Sequence, residues 1–75
     1  MIKVGQIYET PEGNRWCVIR EDDFGSPYAY VYLILPNGYV ERLWKKTVKE
    51  ELKLIAEYPT WQEAVNSKEF KNDSI

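Results

Sequence analysis

The sequence predicts a small, mainly β domain, with five short antiparallel strands bent into a barrel and a short C-terminal helix. Three observations carry this reading. The chain has 75 residues, room for one domain with a thin core. Runs of β-branched, aromatic and aliphatic residues recur at short intervals between turns marked by Pro and Gly. A Thr-x-x-Glu start signal follows the last run and opens a stretch of helical periodicity.

The first run, Val4 to Thr10, reads as a strand. Thr10-Pro11-Glu12-Gly13 follows, with Pro at the second turn position and Gly at the fourth, the placement a type I turn prefers. Arg15 to Arg20 then alternates, sending Trp16, Val18 and Arg20 to one face and Arg15, Cys17 and Ile19 to the other. The short separation makes these two runs a hairpin. Glu21 to Pro27 is polar and reads as a loop. Tyr28 to Leu35 is the strongest strand in the chain. Asn37-Gly38 after it predicts a two-residue type I′ turn, because both residues tolerate positive φ. Tyr39 to Lys45 is the returning strand.

Residues 47–58 carry two periodicities. Val48, Leu52, Ile55 and Ala56 fit a helical face, with Thr47-x-x-Glu50 as a capping box, whereas Leu52, Leu54, Ala56 and Tyr58 alternate as a strand does. The reading adopted is one helical turn at 47–51 and a closing strand at 52–57. Tyr58-Pro59 then resists helix, and Thr60 caps a helix running from Trp61 to about Glu69, with Trp61, Ala64 and Val65 on one face. Residues 72–75 are expected to fray. The chain is thus a single domain, β over 1–58 and helical over 59–71. Five strands with tight turns suit an SH3-like barrel, the helix covering an open end or a sheet face.

Composition narrows the chemistry. There is no His, and Cys17 has no partner, so neither a disulfide nor a zinc site is available to a thin core. Three Trp, six Tyr and two Phe supply the bulk instead. Without His there is no Ser-His or Cys-His pair, and the isolated glycines form no phosphate loop. Cys17 sits mid-strand, where a buried small hydrophobe is expected rather than a thiolate nucleophile. The carboxylate pairs Asp22-Asp23 and Glu50-Glu51 read as solvated surface, and no calcium-loop spacing is present. The chain is therefore expected to be no enzyme and to need no cofactor or metal. A lone cysteine, no opening stretch that reads as a leader and no apolar run of membrane length make the cytoplasm its expected location. The net charge of −2 is a mosaic, in which Arg42, Lys45, Lys46 and Lys49 form the one basic cluster and Glu21-Asp22-Asp23 an acidic one.

The strand from Tyr28 holds the clearest functional signal. Ala29, Val31, Leu33 and Leu35 are aliphatic and read as core, while Tyr28, Tyr30, Tyr32 and Ile34 point to the other face. Three explanations for a tyrosine row stand side by side. The C-terminal helix covers it, with Trp61, Val65 and Phe70 on the rings. Or the row binds a partner protein or a second copy, with Tyr39, Trp44 and Trp61 as further contacts and the acidic cluster steering toward a basic surface. Or it stacks the bases of single-stranded nucleic acid, flanked by Arg42, Lys45, Lys46 and Lys49.

The tail Tyr58-Pro59-Thr60-Trp61-Gln62-Glu63-Ala64-Val65-Asn66-Ser67-Lys68-Glu69-Phe70 resembles a C-terminal segment of small accessory proteins of phages and prophages of Gram-positive bacteria. Val4-Gly5-Gln6-Ile7-Tyr8 with Gly13-Asn14-Arg15-Trp16 is similar to short SH3-like phage proteins. The resemblance implies a protein acting in the cytoplasm of a host bacterium, binding and blocking a host protein. An anti-CRISPR or other anti-defence role is its specific form.

Overall fold

The computed structural model describes residues 1–22 and 28–71. Its elements are β1 (Gln6–Glu9), β2 (Arg15–Glu21), β3 (Tyr30–Ile34), β4 (Val40–Trp44), α1 (Lys45–Glu51), β5 (Lys53–Glu57), α2 (Trp61–Val65) and α3 (Lys68–Lys71). The strands form one antiparallel sheet in the order β4-β3-β2-β1-β5. Part of the expected 21–27 loop and the 72–75 tail lie outside the described residues. None of the described helices is long and apolar enough to cross a membrane.

The two hairpins share one turn chemistry. In the first, Gly13 N–H donates to the Thr10 carbonyl at 2.9 Å, and Thr10 N–H to the Asn14 carbonyl at 2.9 Å. In the second, Gly38 N–H donates to Leu35 O at 2.9 Å and Leu35 N–H to Tyr39 O at 2.8 Å. Each is a type I turn with Pro at the second position, followed by Gly in the left-handed region, at φ 90° for Gly13 and 92° for Gly38. The two-residue type I′ turn expected at Asn37-Gly38 is not formed. Pro36 holds φ near −65°, which suits a type I turn, and the loop becomes Pro36-Asn37-Gly38. Asn37 Oδ1 accepts from Tyr39 N–H at 3.1 Å.

The sheet is open, where the sequence suggests a closed barrel. β4 and β5 are its two edges, and the chain passes between them through α1 and Leu52. A flat five-stranded sheet would hold its edges about 19 Å apart. Seven helical residues and one link span about 17 Å at most. The sheet must therefore curl over this connection, but β4 and β5 do not pair, and α1 packs on the first sheet face through Val48. α1 begins at Lys45, two residues before the expected start, and no side chain caps it. Lys45 N–H instead donates to Ala29 O of the neighbouring strand segment, so Thr47 lies inside the helix and forms no capping box.

Two bulges set the curl and reassign side chains. On β2, Val18 opposes Leu33 and Arg20 opposes Tyr32, which leaves Ile19 as an extra residue. On β5, Ala56 opposes Ile7 and Leu54 opposes Tyr8, leaving Ile55 extra. The first bulge turns Arg20 away from the face of Trp16 and Val18, contrary to simple alternation. The second puts Ile55 and Ala56 into one cluster while Leu54 is exposed.

The sheet is packed on both faces. On the first, Tyr8, Val18, Val31 and Leu33 meet Ile2 and Val48 of α1, with Trp16, Leu43 and Leu52 at the rim. Gln6 secures this plug: its Oε1 accepts from Lys3 N–H at 2.8 Å and from the Tyr8 hydroxyl at 2.9 Å, and its Nε2 donates to Met1 O. On the second, Ile7 and Cys17 lie under Ala64 of α2 and Phe70 of α3, with Ile34, Ile55, Ala56, Tyr58, Trp61 and Val65 around them. The single helix expected over 61–69 is two. Ser67 Oγ donates to Ala64 O at 2.6 Å and accepts from Phe70 N–H at 3.2 Å, which ends α2 and caps α3. Thr60 caps α2 as expected, accepting from Glu63 N–H at 3.2 Å, and its hydroxyl also meets the Glu63 carboxylate.

Candidate functional site

Directly opposed residues in an antiparallel sheet share a face, so the register lays out the second face in rows. One row is Trp44 and Tyr30. The next is Arg42, Tyr32 and Arg20, and the third is Val40, Ile34 and Cys17. Helices α2 and α3 pack on β1 and β2 and bury the Cys17 end of the third row. Trp61, Val65 and Phe70 belong to that cluster, so the C-terminal helices lie on the tyrosine face without lying on the tyrosines.

The rings are capped by guanidinium groups instead. Arg42 Cζ lies 4.2 Å from the Tyr30 ring centroid, and Arg20 Cζ lies 5.2 Å from that of Tyr32. Tyr28 meets Trp44 edge-to-face, with centroids 5.4 Å apart and planes at 89°. Tyr28 and Trp44 remain 58% and 47% exposed. The result is one aromatic surface, held by stacking and bordered by a shallow cleft among Tyr30, Arg42, Leu43, Trp44 and Thr47.

The structure gathers Tyr28, Tyr30, Tyr32, Trp44 and Arg42 from the residues expected to bind. Tyr39 is exposed beside the β3–β4 turn, whereas Trp61 is half-buried against Ile7 and Cys17. Of the basic cluster only Arg42 joins the tyrosines, and the three lysines do not. Lys45 pairs with Glu21 at 3.1 Å, Lys46 pairs with Glu50 at 3.3 Å, and both stand with Lys49 on α1, which packs against the opposite face. The acidic cluster is also engaged: Glu21 holds Lys45, and Asp22 lies 3.6 Å from Arg20. Asp23 falls outside the described residues. Arg20 is the member that sequence reading missed, because a one-residue bulge leaves no mark in the pattern.

Two other groups bear on chemistry. Cys17 is fully buried, and burial pushes its thiol up to about 11, which suits packing rather than nucleophilic attack. The Tyr58 hydroxyl donates to Glu69, which raises the tyrosine and lowers the carboxyl from their ordinary values. Arg15 bridges Glu9 at 2.9 Å and the Glu69 carbonyl at 2.8 Å, fastening α3 to the first hairpin. Comparison of the chain with protein-family models, curated proteins and solved structures finds no match in any of the three.

Proposed function

We propose that this protein is a non-catalytic interaction module that binds a partner protein through Tyr28, Tyr30, Tyr32, Arg42 and Trp44, with Arg20 at the border. The observation that carries this reading is the unequal covering of one sheet face. Helices seal the Ile7–Cys17 part, while the rows bearing Trp, Tyr and Arg stay open. These three residue types dominate binding hot spots, and stacking on the rings pre-orders the long guanidinium side chains. The strand order and the helix between the last two strands support reading the fold as an open form of SH3-like architecture. With the phage-like tail, the partner is a host protein, and blocking a defence protein is the specific form of that role.

Stacked Arg–Tyr pairs also suit the bases of single-stranded nucleic acid, and this is the competing reading. The internal pairing of Lys45 and Lys46 leaves it few free cations. The test is capture from a Gram-positive bacterial lysate by immobilised wild type, Tyr32→Ala and Trp44→Ala, with and without nuclease. A retained protein that resists nuclease, weakened about 5- to 150-fold by either variant, is expected. Equal retention by folded variants overturns the proposal, and nucleic acid held only at low salt favours the competitor.

A further inference from the structure

The two edges of the sheet are built differently. β5 carries the bulge at Ile55 and has Lys53 and Glu57 at its ends, features that discourage pairing with another chain. β4 pairs with β3 in unbroken register over all of its length, from Val40 opposite Ile34 to Trp44 opposite Tyr30. Among the described residues it has a strand on one side only.

Two hydrogen bonds give the direction of its backbone groups. Tyr39 O accepts from Leu35 N–H, and Lys45 N–H donates to Ala29 O, so these residues face β3. Alternation along the strand then turns Val40, Arg42 and Trp44 outward: Val40 and Arg42 aim both N–H and C=O away from the sheet, and Trp44 aims its N–H, its C=O serving the first turn of α1 from the N-cap position. The side chains of the same three residues lie on the tyrosine face. Arg42, the middle one, stacks on Tyr30 and makes no ion pair with any described residue.

We infer that the β4 edge takes up an extended strand of the partner protein, with a carboxylate opposite Arg42 and apolar side chains opposite Val40 and Trp44. This rests on the interaction reading above and specifies the partner's chemistry. Backbone pairing with the outward N–H and C=O groups supplies affinity, and alternate side chains supply specificity. The recognised segment therefore carries an acid flanked two residues away on each side by apolar residues. The cleft beside Trp44 seats one of them. A second copy of the chain fits less well. Antiparallel self-pairing centred on Arg42 or Glu41 sets like charges opposite each other, and pairing centred on Leu43 leaves Arg42 without a carboxylate.

The experiment is selection of displayed random linear peptides on wild type, Arg42→Glu and Val40→Pro. Val40→Pro removes an outward N–H and no ladder bond, so its fold is expected to survive, as a thermal melt checks. Wild type enriches Asp or Glu at one position with apolar residues two places away, and Arg42→Glu enriches Lys or Arg there. A selected peptide binds Val40→Pro about tenfold more weakly or worse. No enrichment, selection unchanged by Arg42→Glu, unchanged affinity for a folded Val40→Pro, or a stable dimer with the β4 amides protected overturns the inference. Should Val40→Pro unfold, the charge swap alone decides. Peptides that lose binding to Tyr32→Ala but keep it with both edge variants defeat strand addition and leave the interaction face standing. Peptides indifferent to Tyr32→Ala and Trp44→Ala defeat the face itself.

Discussion

Ile7 and Cys17, at 0% exposure under α2 and α3, and Tyr30 and Tyr32, half-buried beneath Arg42 and Arg20, lie on the same face of the same sheet. One half is finished with apolar side chains and the other with guanidinium groups. Reach explains the division. α2 has five residues and is about 7 Å long, enough for two neighbouring strands about 4.8 Å apart but not for all five. The energies differ accordingly. Burying a large apolar side chain stabilises by about 1.5–3 kcal/mol, whereas an exposed cation–π contact contributes about 0.5–1 kcal/mol. The covered half contributes most of the stability of this face, and the open half contributes little.

Gly5→Ala is expected to break the covered half most severely. Gly5 has φ 96°, and an added Cβ would strike the Tyr58 carbonyl, just where the chain turns into α2. Gly5 also donates to Val18 O and accepts from Tyr58 N–H. A loss of about 3 kcal/mol or more is expected in chemical denaturation. Phe70→Ala, which empties the α3 contact, should cost about 3 kcal/mol, while Tyr32→Ala on the open half should cost about 1 kcal/mol. Equal losses from these two would erase the distinction on which the interaction surface rests.

Titration sharpens the comparison further. The Cys17 thiol has its pKa raised by burial from 9.0 to about 11, so the folded state holds this proton more tightly than the unfolded chain. Its contribution to stability is full below pH 9.0 and is lost as pH rises toward about 11. Tyr8 is raised too, chiefly by burial, and shifts stability in the same direction. The difference in denaturation midpoint between wild type and Cys17→Ala, followed through this window, isolates the thiol. A difference that stays constant with pH would mean that Cys17 is open to water and the helices do not seal their half. The smallest effect belongs to Arg42→Ala, about 0.5–1 kcal/mol in stability, against a larger loss in partner binding.

Much of this molecule is legible locally. Pro11 and Gly13 mark the first hairpin and its turn, because ring closure and a missing Cβ each fix a backbone region; Asn37-Gly38 marks the second hairpin but not its turn, which Pro36 lengthens by one residue. The runs Val4 to Thr10, Arg15 to Arg20, Tyr28 to Leu35 and Tyr39 to Lys45 announce four strands within one or two residues of their ends, and the fifth, 52–57, has to be chosen over a competing helical periodicity. Thr60 announces α2, and the aliphatic set Ala29, Val31, Leu33 and Leu35 announces the buried side of β3, although Leu35, past the strand end, is only half-buried. These signals need only neighbouring residues. The candidate surface was half legible: the tyrosine row follows from alternation and Trp44 is among the further contacts expected, but alternation sends Arg20 to the other face. One extra residue at Ile19 turned it to the tyrosine face, and a bulge has no composition of its own. Tertiary structure also decided that the sheet stays open, that Ser67 divides the last helix, and that this helix pair seals Cys17 instead of the tyrosines. Each of these outcomes depends on how far one short element reaches over another, a distance set by curl and register across the whole sheet.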